Sequence, residues 1–237
     1  DEPVIPGLRA ASVARTLGSD FPDVALLHAV ERGVFYPTSA ALDIVLQPNL
    51  LSSRFGGTAV LDGINRMASA SALSTHAFLP FAPCQLNPQG AVFKSAAEAA
   101  GDFSKPRRVS DCRAPHAALF APGGSRAVPS VNAMVAPHSG LWPPECKVTV
   151  REMRADAAVL ADAAAVFGEP LVGFCDDWRD IFNHFALHPS VLHTMCFSYL
   201  SESGDLRFAS ESVLGFGMTV ASNIAQRLAN AVADVVR

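Results

Sequence analysis

At 237 residues, half of them hydrophobic and 17% charged, the chain has the composition of a folded protein with a sizeable core rather than a disordered one. Its formal net charge of −4 gives no global basic character of the kind that marks a dedicated nucleic-acid binder. Its apolar runs are short and interrupted, which excludes a membrane-spanning helix. Residues 1–55 read as loops and short helices. FPDVALLHAVERG has Asp23 near its start, apolar residues at helical spacing and Gly33 as a stop. PTSAALDIVLQPN repeats that pattern with a Ser/Thr cap and a proline stop, and 57–73 forms a third helix. From 77 to 145, Pro and Gly punctuate strand-like pieces such as RRVSDCR, as in a looped, β-rich region.

A long Ala-rich helix is expected from about Arg151 to Phe167, stopped by Gly168. The stretch Pro170–Asp176 then reads as a buried strand that delivers its acids to its C-terminal end. HTMCFSYL and LRFASESVL, separated by SESGD, form a hairpin closed by a Gly-Asp turn. The tail from Thr219 is amphipathic, with Ile224, Leu228, Val232 and Val235 marking one face. Five widely spaced cysteines (84, 112, 146, 175 and 196) contain no C-x-x-C pair and point to reduced thiols in an intracellular protein. Nothing at the start reads as a signal peptide, and Asp1 in place of Met fits a processed chain or a piece of a longer one.

Two stretches concentrate chemistry. Lys105, Arg107, Arg108 and Arg113 fall close together, as a solvated basic loop or a phosphate clamp. CDDWRDIFNHFALHP (175–189) sets acids and imidazoles among bulky apolar residues. Three readings stand side by side. An Asp at a strand-to-helix junction caps the helix. His184, His188 and His193 hold zinc, the first two sharing a helical face, although Pro189 breaks the helix before His193. Or a strand-end Asp binds the divalent ions of a two-metal nucleotidyl-transfer site.

The third reading draws on motif order. CDDWRDIFNHFALHP resembles the first palm motif of retroelement reverse transcriptases, a strand ending in Asp followed by Asp-Ala-aromatic and a Leu-His-Pro. The resemblance places Asp177 on the metal-binding catalytic aspartate, with the Trp178 carbonyl as a second metal contact. It places Asp180, Ile181 and Phe182 on the nucleotide-contacting triplet, with Phe182 as the steric gate that excludes a 2′-hydroxyl. Ile181 replaces the usual Ala and would crowd the 3′ side of the nucleotide. VLGFGMTVASNIAQR (213–227) resembles the family's Leu-Pro-Phe-Gly motif. Phe216 and Gly217 fall on its Phe-Gly and Gln226–Arg227 on its closing pair, while Gly215 and Ser222 replace prolines. KPRRVSDCRAPH (105–116) resembles the fingers motif, with Arg107 binding the triphosphate and Lys105 assisting. Asp111 and Arg113 then support the strands, and His116 stands for the usual Asn. VPSVNAMV (128–135) resembles the Ser-Val-Asn signature of tyrosine-recombinase (DIRS-like) elements.

The resemblance spans about Lys105 to Arg237. It implies an α+β fold: reverse-transcriptase-like fingers plus an incomplete ferredoxin-like palm, truncated before the Tyr-x-Asp-Asp hairpin. The corresponding division is a helical lead-in over 1–76, a fingers-like region over 77–148 and a partial palm over 149–237. The family's second carboxylate motif does not occur in these residues, and one Asp holds only part of a two-ion site. The expectation is therefore a fragment, or a degenerate remnant, of an RNA-directed DNA polymerase. Its parent uses Mg²⁺ or Mn²⁺, template-primer and a deoxynucleoside triphosphate, beside the remainder of a polyprotein and away from membranes. The competing expectation is a non-enzymatic, domesticated palm that binds nucleic acid or a partner.

Overall fold

A computed structural model describes residues 15–18, 21–38, 44–93, 106–113, 130–135, 140–142, 150–170 and 181–236. The architecture is mixed α+β, in two compact units: residues 1–143 with 180–237, and residues 144–179. Among the described residues no helix is long and apolar enough to cross a membrane.

The larger unit is organised by a three-stranded antiparallel sheet in the order β2 (Leu73–His76), β7 (Leu206–Glu211), β6 (Cys196–Leu200). The β6–β7 hairpin forms as its alternation and turn residues demand. Gly204 takes φ +81°, its N–H donates to the Ser201 carbonyl at 2.9 Å, and Ser201 N–H donates to the Asp205 carbonyl at 2.9 Å. One sheet face carries Phe197, Ala209 and Leu73 and packs on helix α3 (Gly57–Ser69) through Val60 and Ile64, with Met67 beside them. That spacing is one apolar stripe of a 3.6-residue period. The other face carries Cys196 and Phe208 and meets Cys84 and Leu86.

Helix α1 (Val24–Arg32) starts where Asp23 accepts a hydrogen bond from Leu26 N–H at 3.0 Å, and it buries Leu26 and Ala29. The expected helix over 37–49 is corrected: Ile44–Val45 is a short strand, β1, pairing in parallel with β3 (Cys84–Gln85). The turn of helix α2 (Ser52–Phe55) leads into α3, which ends at Ser69, so Leu73 belongs to β2 and not to a helix running through it. The β-rich region supplies the antiparallel pair β4 (Gln89–Val92) and β5 (Arg107–Ser110), and also a short helix, α4 (Val131–Val135). In the smaller unit α5 runs Val150–Phe167 and stops at Gly168, φ +71°, as expected. The expected strand over 170–176 falls outside the described residues beyond Pro170. The last helix, α6 (Thr219–Val236), packs on α1 and on the 3-10 helix Ile181–His184. Its inner face is Val220, Ile224, Leu228 and Ala231, whereas Val232, expected to be inside, is exposed.

Burial lowers the pKa of His193, and also that of His76, whose ring lies 3.0 Å from Ser210 Oγ. The unfolded chain therefore binds protons that the folded chain refuses, and this part of the stability is present above about pH 6.5 and lost as pH falls below it. Denaturant midpoints measured between about pH 7.5 and 5.5 should fall less steeply in His193→Gln with His76→Gln than in the wild type. Parallel profiles would contradict this.

Candidate nucleotide and nucleic-acid site

After β7 the chain runs beside the stretch that follows the 181–184 turn, through the Ala186–Val213 bridge and a 2.9 Å bond from Leu214 N–H to the Phe185 carbonyl. The spacing Gly215-Phe216-Gly217 then has a physical reading. A Cβ on Gly215 would lie 2.6 Å from Glu211 Oε2, and one on Gly217 would lie 2.8 Å from the Ser110 carbonyl oxygen. Gly217 also sits at φ +106°, where side chains are strained. Both flanking backbones are thus pressed inward, and Phe216 is turned out, 61% exposed. Its ring meets Phe182 edge to face, with centroids 5.5 Å apart at 66°.

Asn132 on α4 spans the same turn. Its Nδ2 donates to the Gly217 carbonyl at 2.8 Å, and its Oδ1 accepts from Thr219 N–H at 2.8 Å. Its own N–H donates to the Cys112 carbonyl at 3.0 Å, just past the end of β5, and Ser130 Oγ accepts from Ala133 N–H at 3.1 Å. Burial pushes the Cys112 thiol well above its usual range, which keeps it neutral.

The two arginines of β5 part company because successive strand residues face opposite ways. Arg107 is exposed. Arg108 points inward, donating to Gln89 Oε1 and, at 2.6 Å, to Glu211 Oε1, with its guanidinium 4.8 Å from the centroid of Phe197. Ser110 Oγ accepts from Gln89 Nε2 at 3.0 Å. Glu211 is 1% exposed, and its Oε2 has no hydrogen-bond partner among the described residues. The basic cluster is thereby corrected: Arg108 is a part-buried structural cation, while Arg107 and Arg113 face solvent.

The structure gathers Phe182, Phe216, Gly217 and the end of the Arg107 strand. Ile181 is half-buried beside Phe182. Asp177, Trp178, Asp180 and Lys105 lie outside the described residues, as does His116. Gln226 is exposed, its Nε2 donating to Asn230 Oδ1 at 2.8 Å along α6, so its contact is within the helix and not with the turn. Arg227 holds Asp23 with two guanidinium nitrogens, one of them Nε at 2.6 Å, and lies 5.0 Å from the Trp142 ring centroid. Trp142 in turn donates to the Phe35 carbonyl at 2.7 Å. His184 and His188 do not share a helical face: the first 3-10 helix ends at His184, and His188 caps the next one, accepting from Ser190 N–H at 3.3 Å. Among the described residues no three His, Cys, Asp or Glu side chains come together in a way that could hold a metal ion.

The roles of Asn132 and Glu211 were not foreseen from sequence, although Asn132 belongs to a quoted signature. The available signal was chemical: an Asn in a Ser-Val-Asn stretch downstream of the basic strand, and a lone Glu between two serines at the end of a strand. No protein-family model matches the chain, and no curated protein is significantly similar to it.

Proposed function

We propose that the chain is the fingers and part of the palm of a retroelement reverse transcriptase, of which it forms one side of the nucleotide pocket. One observation carries the reading: segments resembling three separate polymerase motifs meet at a single turn. Phe216–Gly217 lies against Phe182 on one side and against the Ser110 end of the Arg107 strand on the other. In the parent enzyme Phe182 limits the sugar, with Asp180 and Ile181 beside it. Arg107 and Lys105 neutralise the triphosphate, and Phe216, Gly217 and Gln226 line the nucleotide and template side. Asp177 and the Trp178 carbonyl would hold Mg²⁺ or Mn²⁺, which polarises phosphate. The second carboxylate motif that a two-ion site needs is not among these residues, so the donor set within the chain is incomplete.

The test is primer extension on an RNA template, with Mg²⁺, by the chain expressed together with the coding sequence that follows Arg237. Extension is expected, and Asp177→Asn should lower it by at least roughly 10³-fold, since metal-borne charge stabilisation is worth several kcal/mol. A stop codon directly after Arg237, or activity indifferent to Asp177→Asn, would overturn the polymerase reading in favour of a remnant or an unrelated binder.

The 237-residue chain itself should bind template-primer weakly, with an affinity that falls steeply with salt. Arg107→Ala with Arg113→Ala is expected to weaken a gel shift and to reduce the salt slope by about two. Substituting Arg108 does not serve here, because it breaks the pair with Glu211. A shift unaltered by the Arg107/Arg113 pair would count against the phosphate-clamp role.

A further inference from the structure

The aromatic pair that this reading assigns to the pocket depends on where one turn sits, and between the buried Leu214 and Met218 that turn has no inward side chain of its own to fix it. Gly215 and Gly217 carry no side chains, Phe216 is mostly in solvent, and a glycine-bearing turn has many accessible backbone states. The side-chain hydrogen bonds found on it come from Asn132, 85 residues earlier in the chain. The amide is used at both ends. Its Nδ2–H satisfies the Gly217 carbonyl, and its Oδ1 satisfies Thr219 N–H, one of the amides left orphaned at the start of α6. An Asn is the smallest side chain with a donor and an acceptor held in one plane, so it can close both groups at once. Its own backbone is tied in turn to the Cys112 carbonyl at 3.0 Å, which links the turn to the strand bearing Arg107.

We propose that Asn132 is a positioning residue of the nucleotide pocket: by bridging the Gly217 carbonyl and the Thr219 amide, it fixes the turn that presents Phe216 to Phe182. The role rests on the polymerase reading for its consequence, sugar discrimination, but the positioning itself does not. Asn132 touches neither ring. Without it the turn relaxes, Phe216 leaves Phe182, and the wall against which a ribose would be measured loses its definition. Asp at 132 keeps the acceptor for Thr219 N–H but has no donor for the Gly217 carbonyl, so it should behave like Ala at the ring pair while still capping α6.

Two measurements on the 237-residue chain test this. The first is ¹⁹F NMR with 4-fluorophenylalanine at position 216. Phe182→Ala should move the resonance by removing the neighbouring ring, and Asn132→Ala and Asn132→Asp should each move it the same way, toward the position of a free exposed ring. Ser130→Ala, which weakens the same short helix without touching the turn, should leave it in place; a fall in thermal stability shared by Ser130→Ala and Asn132→Ala is then separated from positioning. An unmoved resonance in both Asn132 variants overturns the proposal. The second is binding of fluorescent deoxyribo- and ribonucleoside triphosphates with Mg²⁺, where Asn132→Ala should reduce the preference for deoxyribose by roughly tenfold, as expected for the loss of one or two net hydrogen bonds. Nucleotide binding with unchanged preference in Asn132→Ala overturns the sugar-discrimination role, while the fluorine resonance decides the positioning. A wild-type chain that binds neither nucleotide sinks the polymerase reading and the sugar-discrimination role with it, while the fluorine resonance still decides whether Asn132 holds the turn.

Discussion

Arg108→Ala is expected to destabilise the fold by about 3–5 kcal/mol. The reason is Glu211. Its carboxylate is 1% exposed in the sheet, its Oε1 takes a 2.6 Å bond from Arg108, and its Oε2 is pressed toward the backbone at Gly215. Removing the guanidinium leaves a buried charge with only the distant Ser110 hydroxyl, 3.4 Å away, in support. It also empties the space over Phe197. The pair need not be a net stabiliser for this to hold: replacing both members with Arg108→Met and Glu211→Met should recover most of the loss, because the desolvation cost of both charges disappears together. Urea unfolding of the two single variants and the double variant measures the coupling directly. A loss under about 1 kcal/mol in Arg108→Ala would show that the contact is solvated and weak.

Gly217→Ala should cost roughly 2–5 kcal/mol, combining strain at positive φ with a clash that backbone alone must absorb. The clash is the 2.8 Å approach of the added Cβ to the Ser110 carbonyl oxygen. Gly204→Ala is the built-in control. Gly204 also has positive φ, +81°, but nothing lies within 4 Å of an added Cβ, so its substitution should cost only about 1–2 kcal/mol. Equal losses in the two variants would mean that strain alone matters and that the approach to Ser110 is slack. A larger loss at Gly217, accompanied by a displaced Phe216, would tie this turn to the Arg107 strand.

What the sequence disclosed and what it hid divide along the range of the interactions involved. The β6–β7 hairpin, the Asp23 cap and the Gly168 stop were legible because their determinants lie within a few residues of one another. Ile44 and Val45 were misread because a short apolar run fits a strand and a helix equally well, and a partner strand forty residues downstream decided the outcome. Arg107 and Arg108 look equivalent in a basic cluster. Strand alternation separates them, but which one turns inward depends on Glu211, 103 residues away. The resemblance named Phe182 and Phe216 separately and did not foresee their contact; that contact, like the duty of Asn132, depends on segments too far apart along the chain for spacing to reveal. The histidine pair attracted attention through an i,i+4 spacing that matters only on a continuous helix, and Pro189 starts a new turn instead.

The β2–β7 pairing also bears on how the molecule is made. His76 and Ser210 are neighbours in the sheet yet 134 residues apart in the chain. A ribosome adding roughly 5–20 residues per second needs about 7–27 s to cover that distance, during which β2 has no partner strand. α3 can shield one face of β2 in that interval, but its open backbone edge stays available for pairing with another nascent chain. The central strand of the sheet is the last to be synthesised, so nascent chains stalled before Glu211 should be the aggregation-prone species, and those that have passed it should escape.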